Sequence, residues 1–139
     1  MTENVFFRSD LTAEILSTFY DEAGFKVTVD KDGDLEISNT DGRSCLVLLS
    51  KSGPDRISWI SFWRGNTNAD DSDKLLYVNK VNQELIGPKT WLNGSGGISF
   101  LHVLFLDGGV TRKSIVNTAY RFLSLESSAI TLDENDVIG

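Results

Sequence analysis

At 139 residues the chain has the length of one ordinary domain, enough to bury roughly 70% of the surface its unfolded form exposes. Its 40% apolar content excludes a disordered or collagenous chain, and 20 acidic against 13 basic side chains give a net charge of −7, which repels nucleic-acid phosphates and anionic lipid heads. A lone Cys45 excludes an internal disulfide, the opening MTENVFFRSD lacks the basic and apolar regions of a signal peptide, and no stretch approaches the roughly 18 to 20 apolar residues of a membrane span. A reducing cytoplasm is the expected setting, with neither nucleic acid nor membrane as partner.

The first predicted element is a helix with Thr12 as N-cap, Leu11 and Leu16 as a hydrophobic staple, and Ile15, Leu16, Phe19 and Ala23 as its buried stripe. Gly24 ends it in a left-handed cap. Four short strands follow as an antiparallel meander: Phe25 to Val29, Leu35 to Ser38, Cys45 to Ser50 and Ile57 to Trp63, with Asp-Gly turns between the first three. The polar linker from Gly65 leads to a second helix capped by Asp71 or Ser72 and running to Ile86, its apolar face carrying Leu75, Val78, Val81, Leu85 and Ile86 with Asn82 intruding. Lys89 to Asn93 then pairs with Ile98 to Leu106, the longest apolar strand, expected in the middle of the sheet. Gly108 and Gly109 turn the chain into a last helix that buries Ile115, Ala119, Phe122 and Leu123. The acidic remainder, SSAITLDENDVIG, is expected to be partly unstructured. The order α-ββββ-α-ββ-α describes a single α+β domain over residues 1–139, an antiparallel sheet with helices packed on it, its core about 11–125 and an acidic tail at 126–139.

VNKVNQE on the second helix, the short hairpin after it, and GGVT before the last helix resemble the YbjN family, whose members are named as bacterial sensory transduction regulators. The resemblance spans roughly Leu11 to Leu125 and departs at Val81, where relatives often carry an aromatic. It implies a fold similar to the type III secretion chaperones, small acidic proteins that dimerise and bind extended segments of partner proteins.

No constellation amounts to a catalytic or metal site. Asp30-Lys31-Asp32-Gly33-Asp34 suggests a calcium loop, but the sixth position is Leu35 and the twelfth Asp41, where that loop needs Gly and a bidentate Glu. Gly94-Ser95-Gly96-Gly97 leads into a strand and has no Lys-Ser/Thr, so it is a turn and not a phosphate cradle. Gly109, Thr111 and Arg112 form a weak anion-site candidate at a helix start, although glycines suit such a turn on steric grounds alone. His102 shares its strand face with Ile98, Phe100 and Leu104, and Ser99 points the other way, so no triad forms; Cys45 reads as a buried thiol.

Two constellations speak of partners. Trp59 and Trp63 share one face of their strand and Ile60 and Phe62 the other, so with Trp91 the sheet holds either core under a helix or an aromatic interaction surface, with acidic rims that would favour a basic partner. Val78, Asn82 and Leu85 are candidates for a homodimer interface, Asn82 either fixing register there or serving backbone groups of an adjoining strand. The leading expectation is a non-catalytic interaction protein without cofactor, chaperone-like or regulatory, that binds a protein or peptide; a small-molecule or anion sensor comes second and an enzyme third.

Overall fold

The computed structural model describes residues 4–49 and 51–139. In chain order they form β1 (Val5–Phe6), a 3-10 turn (Arg8–Asp10), α1 (Ala13–Glu22), β2 (Lys26–Val29), β3 (Leu35–Ser38), β4 (Ser44–Leu48), β5 (Arg56–Trp63), α2 (Asp71–Glu84), β6 (Lys89–Leu92), β7 (Ile98–Phe105), β8 (Val110–Thr111) and α3 (Arg112–Thr131). This is the expected α+β succession with one short ladder added, β1 against β8. The strand expected to reach Ser50 ends at Leu48, and Ser50 lies outside the described residues. Along the six-stranded sheet the order is β2-β3-β4-β5-β7-β6, so β7 is interior but one strand from the edge. The chain gathers into two compact units, one made of residues up to Trp59 with Val103–Leu123, the other of Ile60–His102 with Ser124–Gly139.

In the first unit α1 begins as its sequence dictates: the Thr12 hydroxyl accepts from the Ile15 N–H, and Gly24 adopts a φ of 95° after the last turn. Its buried face is Leu16, Phe19 and Tyr20, while Ile15 and Ala23 are only half-buried. Tyr20 displaces the apolar residue expected there because its hydroxyl is satisfied inside: it donates to the Ile115 carbonyl at 3.3 Å and accepts from the Trp59 indole at 3.1 Å. The registers Val27↔Ile37↔Cys45 and Val29↔Leu35↔Val47 place Ile37, Cys45, Leu35 and Val47 on one buried sheet face. Asp34, buried at the mouth of the β2–β3 turn, accepts from the Leu49 N–H at 2.8 Å, and Lys51 reaches both it and Asp32.

In the second unit the buried face of α2 is rotated from the expected one. Lys74, Tyr77, Val78 and Val81 are inside, whereas Leu75 and Leu76 are exposed, and Ile86 is 93% exposed. Two polar side chains set this phase, since each has an acceptor at the end of its apolar stem. The Tyr77 hydroxyl donates to the Ala129 carbonyl at 2.6 Å and the Lys74 ammonium to the Gly96 carbonyl at 2.9 Å. The helix N-cap is Asp70, one residue earlier than expected, and the helix stops at Glu84, leaving Leu85 in an extended conformation and Ile86 beyond it.

The acidic remainder is ordered, contrary to the expectation. Helix α3 continues to Thr131, burying Glu126 and Ala129, and Val137 is 0% exposed. The spacing Ile115, Ala119, Phe122, Glu126, Ala129 keeps one helical face throughout, so the face does not stop where apolar residues thin out.

Burial raises the phenols of Tyr20 and Tyr77 above their ordinary value, with the Asp133 carboxylate adding to the effect at Tyr77. The unfolded phenol ionises near pH ~10 while the folded one stays neutral, so their contribution is complete below that value and is lost as pH rises above it. Urea midpoints are therefore expected to fall steadily above pH ~10, and Tyr20→Phe is expected to flatten that dependence.

Candidate aromatic cleft and the residues around it

The end of β5 opens into a cleft of about 430 Å³ lined by Phe62, Trp63, Arg64, Gly65, Asn93 and Ser95. Phe62 is 60% exposed, the fate of a large apolar side chain on the strand face that the helices of this unit leave open. Trp63 alternates to the other face, where its indole donates to Glu126 Oε1 at 3.0 Å and its ring stacks on Phe100 with centroids 5.3 Å apart. Glu126 is 5% exposed and also accepts from the Ser61 hydroxyl at 3.1 Å, so a buried carboxylate fixes two consecutive inward residues of β5.

The floor of the cleft is equally constrained. Asn93 Oδ1 accepts from the N–H groups of Ser95 and Gly97 at 3.1 and 3.0 Å, and its amide donates to Ser99, which shapes the β6–β7 turn. A Cβ at Gly65 would collide with the Gly96 carbonyl, and the Lys74 ammonium bonds that same carbonyl. The aromatic wall thus stands on a scaffold with satisfied polar groups. Arg64 lines the cleft, so its immediate rim is cationic despite the acidic whole.

The sequence candidates divide accordingly. Trp59 is 0% exposed and bonded to Tyr20, which removes it from any partner-facing surface and corrects its placement there. Trp91 is half-buried with the Lys89 ammonium 5.2 Å above its ring. Val78 is buried within its own unit, and Asn82 spends its amide on Thr90, donating to the carbonyl and accepting from the N–H, both at 2.9 Å. Val78 is thus turned inward, whereas Asn82 stays exposed with its amide engaged and Leu85 is half-buried.

At the start of α3 the Thr111 hydroxyl caps the Ser114 N–H, and Arg112 pairs with Glu22 while lying 5.1 Å over the Phe19 ring. Gly109, with φ of 85°, has the Val5 side chain where its own Cβ would be. The groups of the weak anion-site candidate are therefore engaged within the chain. Asp30 acts as a turn residue, its Oδ1 accepting from the Asp34 and Asp32 N–H groups, bonds that hold its carboxyl below the usual range. Cys45 is buried and His102 half-buried beside Gly87. Among the described residues no group of three or more His, Cys, Asp or Glu could hold a metal ion, and no helix is long and apolar enough to cross a membrane.

The family model described as "Putative bacterial sensory transduction regulator", YbjN, matches residues 12–130. The chain belongs to the YbjN family. Among solved structures, this YbjN-family chain is similar to E. coli YbjN, a "putative transcription regulator", with a TM-score of 0.74 and 14% identity, covering 91% of this chain and 94% of that one. It is similar to an uncharacterised protein from Methanothermobacter thermautotrophicus, with a TM-score of 0.66 and 12% identity over 91% and 99% of the two chains. It is also similar to a chain of the HopA1–SchA chaperone–effector complex, with a TM-score of 0.55 and 14% identity over 87% and 91%. At these identities the likeness is one of fold, and it bears out the expected chaperone-like architecture. No curated protein matches the chain significantly.

Glu126 and Lys74 are the residues supporting the cleft that residue type concealed. Both are charged and buried, and only their helical spacing from apolar neighbours, Phe122 and Ala129 for the one and Val78 and Val81 for the other, could have found them.

Proposed function

We propose that this protein is a non-catalytic interaction protein of the cytoplasm, chaperone-like or regulatory, that holds an extended segment of a partner protein against Phe62 and Trp63. The observation that carries this reading is the exposed Phe62 ring beside a cleft whose walls are fixed by Glu126, Asn93 and Lys74. A rigid apolar wall loses little freedom on binding, so more of the contact energy appears as affinity. Membership of the YbjN family and a fold shared with a chain from a chaperone–effector complex support a protein partner over a reaction. The cationic Arg64 at the cleft favours a segment of apolar and acidic residues over a basic one.

Phe62→Ala tests the reading. Partners recovered by the wild-type protein from the cytoplasmic proteome and then identified are expected to bind the variant at least tenfold more weakly, since truncating a central aromatic anchor commonly costs about 2 kcal/mol. Unchanged affinity for every identified partner would remove Phe62 from the function.

We also propose a homodimer, with its interface moved to the outer side of α2, where Leu75 and Leu76 are exposed. Sedimentation at tens of micromolar is expected to show a species of twice the 15.4 kDa chain mass. Leu76→Glu is expected to return it to monomer; a wild-type protein sedimenting only as monomer would refute the dimer.

A further inference from the structure

The segment Leu132–Gly139 is bound to its own unit as a strand would be. Gly65 and Ile138 form an antiparallel bridge, the Asn66 N–H donates to the Val137 carbonyl at 2.9 Å, and the Gly139 N–H donates to the Arg64 carbonyl at 2.6 Å. Val137 fills a socket completely, and the Asn66 amide donates to the Asp136 carbonyl at 2.8 Å. Meanwhile the two oxygens of Asp133 accept from the Val137 and Ile138 N–H groups at 3.0 and 3.1 Å, folding the segment into a hook. Glu134 pairs with Lys80 of α2 at 2.8 Å, which holds its carboxyl below the usual range.

These are the elements of peptide recognition by strand addition, namely an edge that gives backbone hydrogen bonds, a pocket for one apolar side chain and a cation for an acidic one. The edge is built to be rigid, since Gly65 is pressed against the Gly96 carbonyl that Lys74 holds. The occupant is less secure. Its ion pair joins a 75%-exposed Glu134 side chain to Lys80, and such pairs contribute little. Asp136, with φ of 52°, is the single non-glycine residue at positive φ among the described residues, so strain sits in the hook. One socket, three carbonyl contacts and an exposed ion pair can release without disturbing the α2–β6 packing, where Asn82 is locked to Thr90.

We propose that the Arg64–Asn66 edge is an acceptor for an extended partner segment in which acidic residues lead into an apolar pair, and that Leu132–Gly139 occupies it in cis as a reversible clasp. This rests on the reading that the protein binds extended segments, and it adds both the composition of such a segment and an intramolecular competitor for it. The acceptor adjoins the aromatic cleft through Arg64 and Gly65, which line both. A partner crossing Phe62 would therefore meet the clasp.

The test uses the full chain and a fluorescent peptide of the sequence LDENDVIG, residues 132–139. Wild-type protein is expected to bind it weakly because the cis segment fills the edge. Asp133→Ala, which unties the hook without touching the buried socket, and Val137→Asp, which cannot fill it, are both expected to bind at least tenfold more tightly in anisotropy titrations. A peptide with aspartate at the Val137 position is expected to bind none of the three proteins. If Val137→Asp does not fold, Asp133→Ala decides alone. No gain in either folded variant overturns the proposal, as does an equal gain with the aspartate peptide. A peptide gain together with unchanged partner binding by Phe62→Ala keeps the acceptor and removes the aromatic reading; the converse pair of results removes the clasp and keeps the cleft.

Discussion

Replacing Trp59 with alanine is expected to lower folding stability by about 3–5 kcal/mol, the usual cost of emptying a core site of this size. Phe62→Ala, three residues along the same strand, is expected to stay within about 0.5 kcal/mol of wild type because its ring is mostly in solvent. The indole of Trp59 is fully buried and heads a hydrogen-bonded row, Trp59 to Tyr20 to the Ile115 carbonyl, that ties β5, α1 and α3 within one unit. Truncation removes the ring contacts and one of the two bonds at the Tyr20 hydroxyl together. Trp59→Phe keeps most of the apolar area and loses only the donor, so it is expected to fall between the two. Urea denaturation monitored by far-ultraviolet circular dichroism measures all three. If Trp59→Ala cost no more than Phe62→Ala, Trp59 would not be core.

The same pair shows what a strand pattern conveys. Period-two alternation correctly separated Trp59 and Trp63 from Ile60 and Phe62, because the pleat leaves no choice about which residues share a face. It could not say which face the helices cover, since both carry large apolar residues. Helix boundaries were legible where a side chain closes a local ring, as at Thr12, where donor and acceptor are three residues apart. The buried face of α2 was not legible. Apolar spacing alone points to Leu75 and Ile86, whereas the observed phase depends on Lys74 and Tyr77 finding carbonyls 22 and 52 residues away. Only the fold supplies those partners. The β1–β8 ladder was likewise hidden, being two residues a side with no period to detect. The clasp was missed because acidic composition reads as solvated chain. Yet Asp133 spends its charge on N–H groups four and five residues ahead, a local device that turns an acidic stretch into a fixed hook.

Glu126→Ala is expected to destabilise the protein by about 2–4 kcal/mol, unusual for removing a carboxylate from a chain of net charge −7. General electrostatics alone would favour the substitution, since it lowers the self-repulsion of an acidic protein. The local term opposes it and is larger. The carboxyl group is buried and accepts from two donors, the Ser61 hydroxyl and the Trp63 indole, and leaving a buried donor unsatisfied costs about 1–3 kcal/mol. Alanine leaves both donors facing a small cavity. Glu126→Gln retains one carbonyl acceptor and is expected to recover about half of the loss. Trp63 supplies a second readout, because its ring forms the inner wall of the cleft and is free to turn once its anchor is gone. Its fluorescence is expected to shift to longer wavelength in folded Glu126→Ala, and any partner bound at Phe62 is expected to dissociate faster in the same variant. Wild-type stability and an unshifted spectrum in Glu126→Ala would show that Phe100 stacking alone holds Trp63.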